Sequence, residues 1–346
     1  MPEPIARSRR RRLLVLPFAV IVLVGILWSG FWFFAAHRAD ATITAWVEQE
    51  AKLGRIHSCG SLRNGGYPFR VEIRCTDPTV ELANAQPARV FKAKELLGVA
   101  QVYDPGLIIA EITGPLAIAE SGQPVIWRAD WRLAQASLRG RPGTPERLSV
   151  ALDGAKLERT EGANADIWAE ANHFEAHVRR NPASTSDRPV LDFAAQLAGA
   201  TVPSAAVLAG KPLDAEVTAV LRGLSDLRPK PVPAQLKEWQ AAGGRLEITK
   251  LRLQQGEAVA LAAGDIGLSA AGRPDGAFNV TMAGFERMVQ QLAGSGGIQR
   301  GLIAGLAFLG RPAEIDGKRG VSVPLRFNDG AVSLGPIPLG KMEPLY

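Results

Sequence analysis

The chain has 346 residues, of which 40 are Lys or Arg and 34 are Asp or Glu, so its net charge is +6. Six arginines and two acidic residues fall within residues 1–40, which leaves 34 basic and 32 acidic residues in 41–346 and a net charge of +2 there. A region with nearly balanced charge gives no electrostatic reason to expect a nucleic-acid partner.

The first predicted element is a membrane-spanning helix over residues 13–36. Leu13–Ala36 contains no charged residue, and five arginines lie within residues 7–12. At ~1.5 Å per residue the segment reaches ~36 Å, which is enough to cross a hydrocarbon core of ~30 Å. Because basic flanks stay in the cytoplasm, we expect residues 1–12 to form a cytoplasmic tail and the rest of the chain to be exported.

A cleaved secretory signal is the alternative interpretation of this segment. The apolar part of a signal peptide usually runs 7–15 residues and ends at small residues. Here the apolar stretch is longer and ends in the aromatic run Phe31–Phe34, which is typical of a membrane interface. We therefore favour an uncleaved anchor, while cleavage after Ala41 stays open.

Cys59 and Cys75 are the only cysteines of the chain. In an oxidising compartment such a pair is expected to form a structural disulfide. A redox-active pair is disfavoured because the sequence lacks the C-x-x-C spacing. Closing a loop of this length stabilises a fold by ~3 kcal/mol in the chain-entropy model.

The exported part is predicted to be mainly β. After a short helix over Ala41–Leu53, the segment Tyr67–Cys75 alternates apolar and charged residues, as a half-buried strand does. Alternating segments separated by turn residues recur to the C-terminus, which predicts extended antiparallel, curved β-sheet with a few short helices. The Pro-rich segment 229–233 divides this region into β-rich parts at 37–228 and 229–346, with helices near 284–309.

Two segments carry a resemblance to known proteins. Gly256–Met282 (GEAVALAAGDIGLSAAGRPDGAFNVTM) and the C-terminal NDGAVSLGPIPLG resemble the recurring unit of the AsmA-like proteins. The single anchor, the G-Y-P-F-R strand with its cysteines and the C-terminal half together resemble a smaller family, found mainly in alphaproteobacteria and defined only as a domain of unknown function. The resemblance implies a periplasmic β protein anchored in the bacterial inner membrane, and it supplies no catalytic residues.

The motif search does not favour an enzyme or a cofactor site. His173, Glu175 and His177 have the composition of a metal site, but on a strand the two histidines lie ~13 Å apart, so a solvated polar face is the preferred interpretation. Nucleophile-elbow, zinc-protease and phosphate-loop motifs are missing from the sequence. We expect no catalytic residue, no metal and no cofactor.

The alternating strands present apolar faces that few predicted helices could cover. Either two sheets cover each other, or one curved sheet keeps an apolar face open to lipid, since large exposed apolar surfaces mark binding sites. The segment Gly297–Leu309 is interpreted as a buried core helix or as a helix at a membrane surface or groove. Residues selected as lipid-facing candidates are Phe69, Val71, Ile73, Leu246, Ile248, Leu302 and Leu306.

The sequence therefore favours a non-enzymatic envelope protein that binds membrane lipids or acyl chains. A tethered apolar groove would let a chain leave the bilayer without exposing its methylenes, each of which costs ~0.8 kcal/mol in water. The alternative is a structural module that pairs with an envelope protein through its edge strands. An envelope enzyme is the least favoured hypothesis.

Overall fold

The computed structural model describes residues 6–141, 144–161, 164–185, 188–204, 211–225, 230–284 and 310–346. The protein is mainly β, with 59% of residues in strands, and the strands pair antiparallel, as predicted. Two compact units are present. The first comprises Met1–Ile112 and Ile118–Pro124, and the second comprises Thr113–Ala117 and Val125–Tyr346. The predicted boundary at residue 229 lies just outside the described residues and stays a prediction.

A single long helix, α1 (Ala6–Lys52), joins the predicted anchor to the predicted helix that follows it. The connecting residues His37–Ala41 contain neither Gly nor Pro, so nothing in the sequence interrupts the helix there. It ends at Lys52, and Gly54 after it takes a positive φ of 78° and donates its N–H to the carbonyl of Ala51. Within the described residues, α1 is the one helix long and apolar enough to cross a membrane.

The first unit pairs short strands into two antiparallel ladders. One ladder has the order β2–β3–β6, and the other has the order β1–β4–β5. The strands that lie wholly or mostly in this unit are β1 (Arg55–Ser58), β2 (Ser61–Gly65), β3 (Arg70–Thr76), β4 (Thr79–Leu82), β5 (Arg89–Lys92), β6 (Glu95–Gln101), β7 (Asp104–Thr113) and β8 (Leu116–Glu120).

The second unit is an antiparallel meander in which each strand from β10 to β17 pairs with the next, and β17 pairs with β19. The helix α2 (Val232–Ala241) connects β14 to β15. The strands are β9 (Val125–Asp130), β10 (Leu133–Arg141), β11 (Thr144–Glu161), β12 (Asn164–Arg180), β13 (Leu191–Ala200), β14 (Leu213–Arg222), β15 (Arg245–Gln255), β16 (Ala258–Leu268), β17 (Pro274–Ala283), β18 (Arg311–Ile315), β19 (Lys318–Asn328), β20 (Ala331–Leu334) and β21 (Ile337–Lys341).

The core of the first unit includes part of α1. Trp32 and Ala36 of the helix are buried together with Val71 of β3 and Val102. In the second unit the described buried cluster is small and consists of Val259, Ala283 and Ile315. Among the described residues, no large side chain is completely buried, so most apolar side chains keep part of their surface exposed.

Candidate functional site

Three parallel rows of apolar side chains, here called the apolar rows, cross the sheet of the second unit. Residues that pair directly on neighbouring antiparallel strands point to the same face of the sheet, so the register defines each row. The central row runs from β10 to β19 and consists of Ala136, Val150, Ala176, Ala195, Val217, Leu251, Ala262, Val280 and Val323.

The two outer rows flank this one and are also apolar throughout. One consists of Leu138, Leu148, Val178, Phe193, Ala219, Ile248, Gly264, Phe278 and Leu325. The other consists of Ala134, Leu152, Phe174, Leu197, Ala215, Leu253, Ala260, Met282 and Val321. Each row contains one residue from each of nine neighbouring strands, and none of these residues has a polar side chain. The three rows therefore form one uninterrupted apolar face.

The apolar face is only partly shielded in the described part of the chain. In the central row the residues from Ala136 to Val280 are half-buried, whereas Val323 is buried. Leu148 and Leu253 of the outer rows are exposed. The interior of two packed sheets would bury such side chains almost completely. This face therefore keeps surface on which an apolar ligand could be accommodated.

The structure places the sequence-selected residues of the second unit on this face. Ile248 belongs to an outer row, and Leu246 pairs with Leu221 and Ile266 at the next position along the strands. Both side chains are half-buried. Leu302 and Leu306, and the helices predicted near 284–309, lie outside the described residues.

The opposite face of β11 to β15 carries many charged and polar side chains, whereas on β16 and β17 it carries the buried residues Val259 and Ala283. Lys250 of β15 binds both carboxylate oxygens of Glu216 on β14 at 2.8 Å. Arg179 of β12 binds Asp192 of β13 at 2.9 Å. Ion pairs of this kind keep their charges hydrated and contribute little stability. These ion pairs mark a surface that faces water. The residues of the apolar rows alternate with them along each strand and point to the other face.

A line of hydrogen-bonded side chains crosses β11 and β12 on the polar face. His173 Nδ1 lies 2.6 Å from an Asp153 carboxylate oxygen, and His177 Nδ1 lies 2.8 Å from the Ser149 hydroxyl. Glu175 stands between the histidines, 2.6 Å from His177 Nε2 and 3.5 Å from His173 Nε2. The hydrogen bond to Asp153, assisted by Glu175, raises the pKa of the His173 imidazole, against the opposing effect of desolvation.

This line brings serine, histidine and carboxylate groups together, which the sequence motifs did not predict. Ser149 and His177 are 28 residues apart and meet because they pair directly in the β11–β12 register. The backbone around these side chains lies in the β10–β11–β12 ladders. Within the described residues, no group of three or more His, Cys, Asp or Glu side chains is arranged to hold a metal ion.

The sequence-selected residues of β3 lie at a junction with α1. Val71 is buried against Trp32 and Ala36, and Ile73 packs beside the same cluster. Phe69, which directly precedes β3, is exposed and contacts the ring of Trp28 at 6.3 Å between centroids. The contacts of Val71 and Ile73 are thus with the helix, and lipid contact by these three residues stays a prediction.

The disulfide between Cys59 and Cys75 is present in the structure. The two Cα atoms lie 5.7 Å apart, and the link connects the segment after β1 to the end of β3. Gly60 N–H also donates to the carbonyl of Thr76 at 2.9 Å, so a backbone hydrogen bond holds the same two segments. The bridge thereby joins the two ladders of the first unit.

Most of the chain matches a known family of bacterial proteins. No curated protein matches the chain. The family described as "Uncharacterized protein conserved in bacteria (DUF2125)" matches residues 32–343. The match begins at Trp32, a helix residue that is buried in the core of the first unit, and extends through nearly the whole second unit. The chain therefore belongs to this uncharacterized bacterial family.

Proposed function

We propose that this protein is a non-enzymatic, membrane-anchored protein of the bacterial envelope that binds acyl chains of envelope lipids. The observation that carries the proposal is the set of apolar rows, which continues without a polar side chain from β10 to β19. An acyl chain lying along these rows would remove methylene groups from water at ~0.8 kcal/mol each. We also propose that Gly256–Met282 is related to the recurring unit of the AsmA-like proteins.

The anchor supports the proposed location in the cell. Five arginines precede the apolar part of α1, and the positive-inside rule then puts the N-terminus in the cytoplasm and the β units in the periplasm. Both β units would stand in the compartment that lipids cross on their way through the envelope. The nearly balanced charge of residues 41–346 gives no electrostatic reason to expect nucleic acid as the partner.

A matched pair of variants in β13 tests the proposal. Ala195 lies in the central apolar row, between Ala176 and Val217, whereas Ala194 faces the polar side, between His177 and Thr218. The full-length protein in detergent is photocrosslinked to a long-chain fatty acid that carries a diazirine, and the labelled peptides are mapped by mass spectrometry. We expect labelling within 144–255 for the unaltered protein and for Ala194→Glu.

Ala195→Glu should reduce that labelling. A carboxylate in the row displaces about two methylenes of the ligand, which at ~0.8 kcal/mol each amounts to about a tenfold loss of occupancy. Circular dichroism of both variants establishes that the sheet is retained. Equal labelling of Ala195→Glu and Ala194→Glu would refute binding on the apolar rows.

A second candidate function is a structural module that pairs with an envelope protein. It is supported by β21, which has β20 as its strand partner in the described part of the chain and carries the exposed Leu339. An edge of this kind can accept a further strand from a partner. Crosslinking in cells from a photoreactive residue at position 339 should trap one protein if this candidate is correct, and lipid-only adducts would count against it.

A further inference from the structure

Two turns at one end of the β2–β3–β6 ladder carry exposed aromatic side chains. The turn between β2 and β3 contains Tyr67 and Phe69, which are 55% and 63% exposed. The turn between β6 and β7 contains Tyr103, which is 67% exposed. The two turns are neighbours, because Val102 N–H donates to the carbonyl of Phe69 at 3.0 Å. A cluster of exposed aromatic rings, unlike a single one, indicates a surface that contacts a partner or a membrane.

Both turns are fixed to the apolar part of α1. The indole N–H of Trp28 donates to the carbonyl of Pro68 at 2.8 Å, and that of Trp32 donates to the carbonyl of Arg70 at 2.8 Å. The Ser29 hydroxyl lies 2.8 Å from the Tyr67 hydroxyl. Val102, beside Tyr103, packs in the same cluster as Trp32. The position of the turns along the helix is therefore defined.

That position coincides with the outer boundary of the hydrocarbon core. Counted from Leu13, a core of ~30 Å takes up ~20 residues at ~1.5 Å each and ends near Trp32. Trp28 and Ser29 lie below this boundary, and tilting the helix would move the boundary towards Ala36. The turns that contact Trp28, Ser29 and Trp32 must then lie at the level of the outer leaflet.

Backbone carbonyls of the first turn accept hydrogen bonds from within the protein, which suits a location in the bilayer. In a bilayer, polar backbone groups need partners within the protein, because water is scarce there. The carbonyls of Gly66, Pro68, Phe69 and Arg70 all accept hydrogen bonds, from Arg70 N–H, Trp28, Val102 N–H and Trp32 respectively. The Arg70 side chain, which follows Phe69, is exposed and suits the headgroup level.

We propose that Tyr67, Phe69 and Tyr103 insert into the outer leaflet of the membrane that α1 spans, as a second membrane contact beside the helix. The inference rests on α1 crossing the bilayer and is independent of acyl-chain binding on the apolar rows. The occupant of these turns is the lipid of the same bilayer, since the helix that they contact is already surrounded by it. Aromatic rings are favoured at this level because they are apolar in bulk with a polar edge.

Lipid quenching of single fluorescent labels tests the inference in the full-length protein. Phe69→Cys and Tyr103→Cys are labelled separately with an environment-sensitive fluorophore and reconstituted in phosphatidylcholine–phosphatidylglycerol vesicles with and without brominated phosphatidylcholine. The native cysteines form a disulfide and do not compete for the label. We expect lipid bromines to quench both labels several-fold more than a label at Lys92→Cys in β5, whose side chain is 58% exposed and pairs with Asp77, just past the opposite end of β3.

A label at Val24→Cys, on an exposed face of the apolar helix, reports on the anchor itself. Quenching at Val24 without extra quenching at positions 69 and 103 overturns the inference and leaves the anchor intact. A lack of quenching at Val24 overturns the anchor and the inference together. Neither result bears on the fatty-acid labelling of β13, so failure of this inference and failure of the proposed function are distinguishable.

Discussion

Trp32 is the side chain that connects the membrane helix to the first sheet. It is 7% exposed, packs beside Ala36 and Val71, and donates its indole N–H to the carbonyl of Arg70. A phenylalanine at this position retains most of the apolar surface but cannot donate that hydrogen bond. Trp32 therefore combines a packing role with a polar one that no aliphatic residue could fill.

The first prediction is that Trp32→Phe destabilises the first unit. Loss of the donor leaves a shielded carbonyl without its partner and lowers the free energy of unfolding by about 2 kcal/mol. Urea unfolding of the full-length protein in mild detergent, followed by circular dichroism, measures the change. Phe34→Leu, at an exposed position two residues along the helix, is the control and should have little effect. Equal unfolding midpoints for the two variants would contradict the role given to Trp32.

The second prediction concerns the pH dependence of His173. Its pKa is raised in the folded protein by the hydrogen bond to Asp153 and by Glu175. A group with a raised folded pKa contributes stability below its unfolded pKa, near 6.5, and loses that contribution as the pH rises through the folded value. Stability should therefore fall from pH 6 towards alkaline pH, and His173→Gln should remove part of this fall.

Asp153→Asn provides the matching test on the partner, because it removes the main cause of the raised pKa. NMR titration of the His173 ring should give a lower pKa in Asp153→Asn than in the unaltered protein. Thermal unfolding at several pH values compares the same variants with His37→Gln, a histidine on α1 that is exposed to its surroundings. An unchanged His173 pKa in Asp153→Asn would show that the hydrogen bond does not control it.

At the scale of elements, the third prediction concerns β3 and its disulfide. Closing a loop across the 16-residue separation of Cys59 and Cys75 stabilises the fold by ~3 kcal/mol in the chain-entropy model. The double variant Cys59→Ala, Cys75→Ala should therefore exchange amide hydrogens faster in β2 and β3, measured by mass spectrometry of the full-length protein. Peptides of β12 and β13 serve as the internal control. Unchanged exchange in β2 and β3 would contradict a stabilising role.

The fourth prediction concerns the close approach of β16 to β17 at Gly264. A Cβ at this position would lie 2.1 Å from the carbonyl oxygen of Ala277 and 2.6 Å from the Cα of Phe278. Gly264→Ala therefore has to push the two strands apart, which costs about 2 kcal/mol. Ala263→Ser, at the exposed neighbouring position, should change the unfolding midpoint little. A similar small change for both variants would mean that the strands have room at Gly264.

The elements were largely predictable, because alternation reports directly on half-buried strands. Alternation in Tyr67–Cys75 indicated a strand there, and β3 (Arg70–Thr76) is present. Separate helices were predicted over residues 13–36 and Ala41–Leu53, whereas α1 runs through both without interruption. The Ser149–His177 contact depends on the β11–β12 register, which local patterns do not specify.

At the scale of the whole molecule, the fifth prediction is that the mature chain keeps α1. Trp32 and Ala36 belong to the core of the first unit, so cleavage after Ala41 would expose Val71 and Val102. Intact-mass measurement and N-terminal peptide sequencing of the protein from membranes should find residues N-terminal to Ala41. A folded protein whose chain starts at Thr42 would contradict the role of the helix in the core of the first unit.

The apolar rows have a consequence for the movement of a bound chain. They extend for ~38 Å across neighbouring strands spaced ~4.8 Å apart, which is longer than one leaflet of a bilayer whose core is ~30 Å thick. Each strand contributes one residue to each of the three rows. An acyl chain that moves along the rows by one strand therefore loses the contacts with one strand and gains similar contacts with the next. Sliding along the sheet would then need far less free energy than detachment into water. If the proposed function is correct, such a surface would act as a track for an acyl chain rather than as a single binding site.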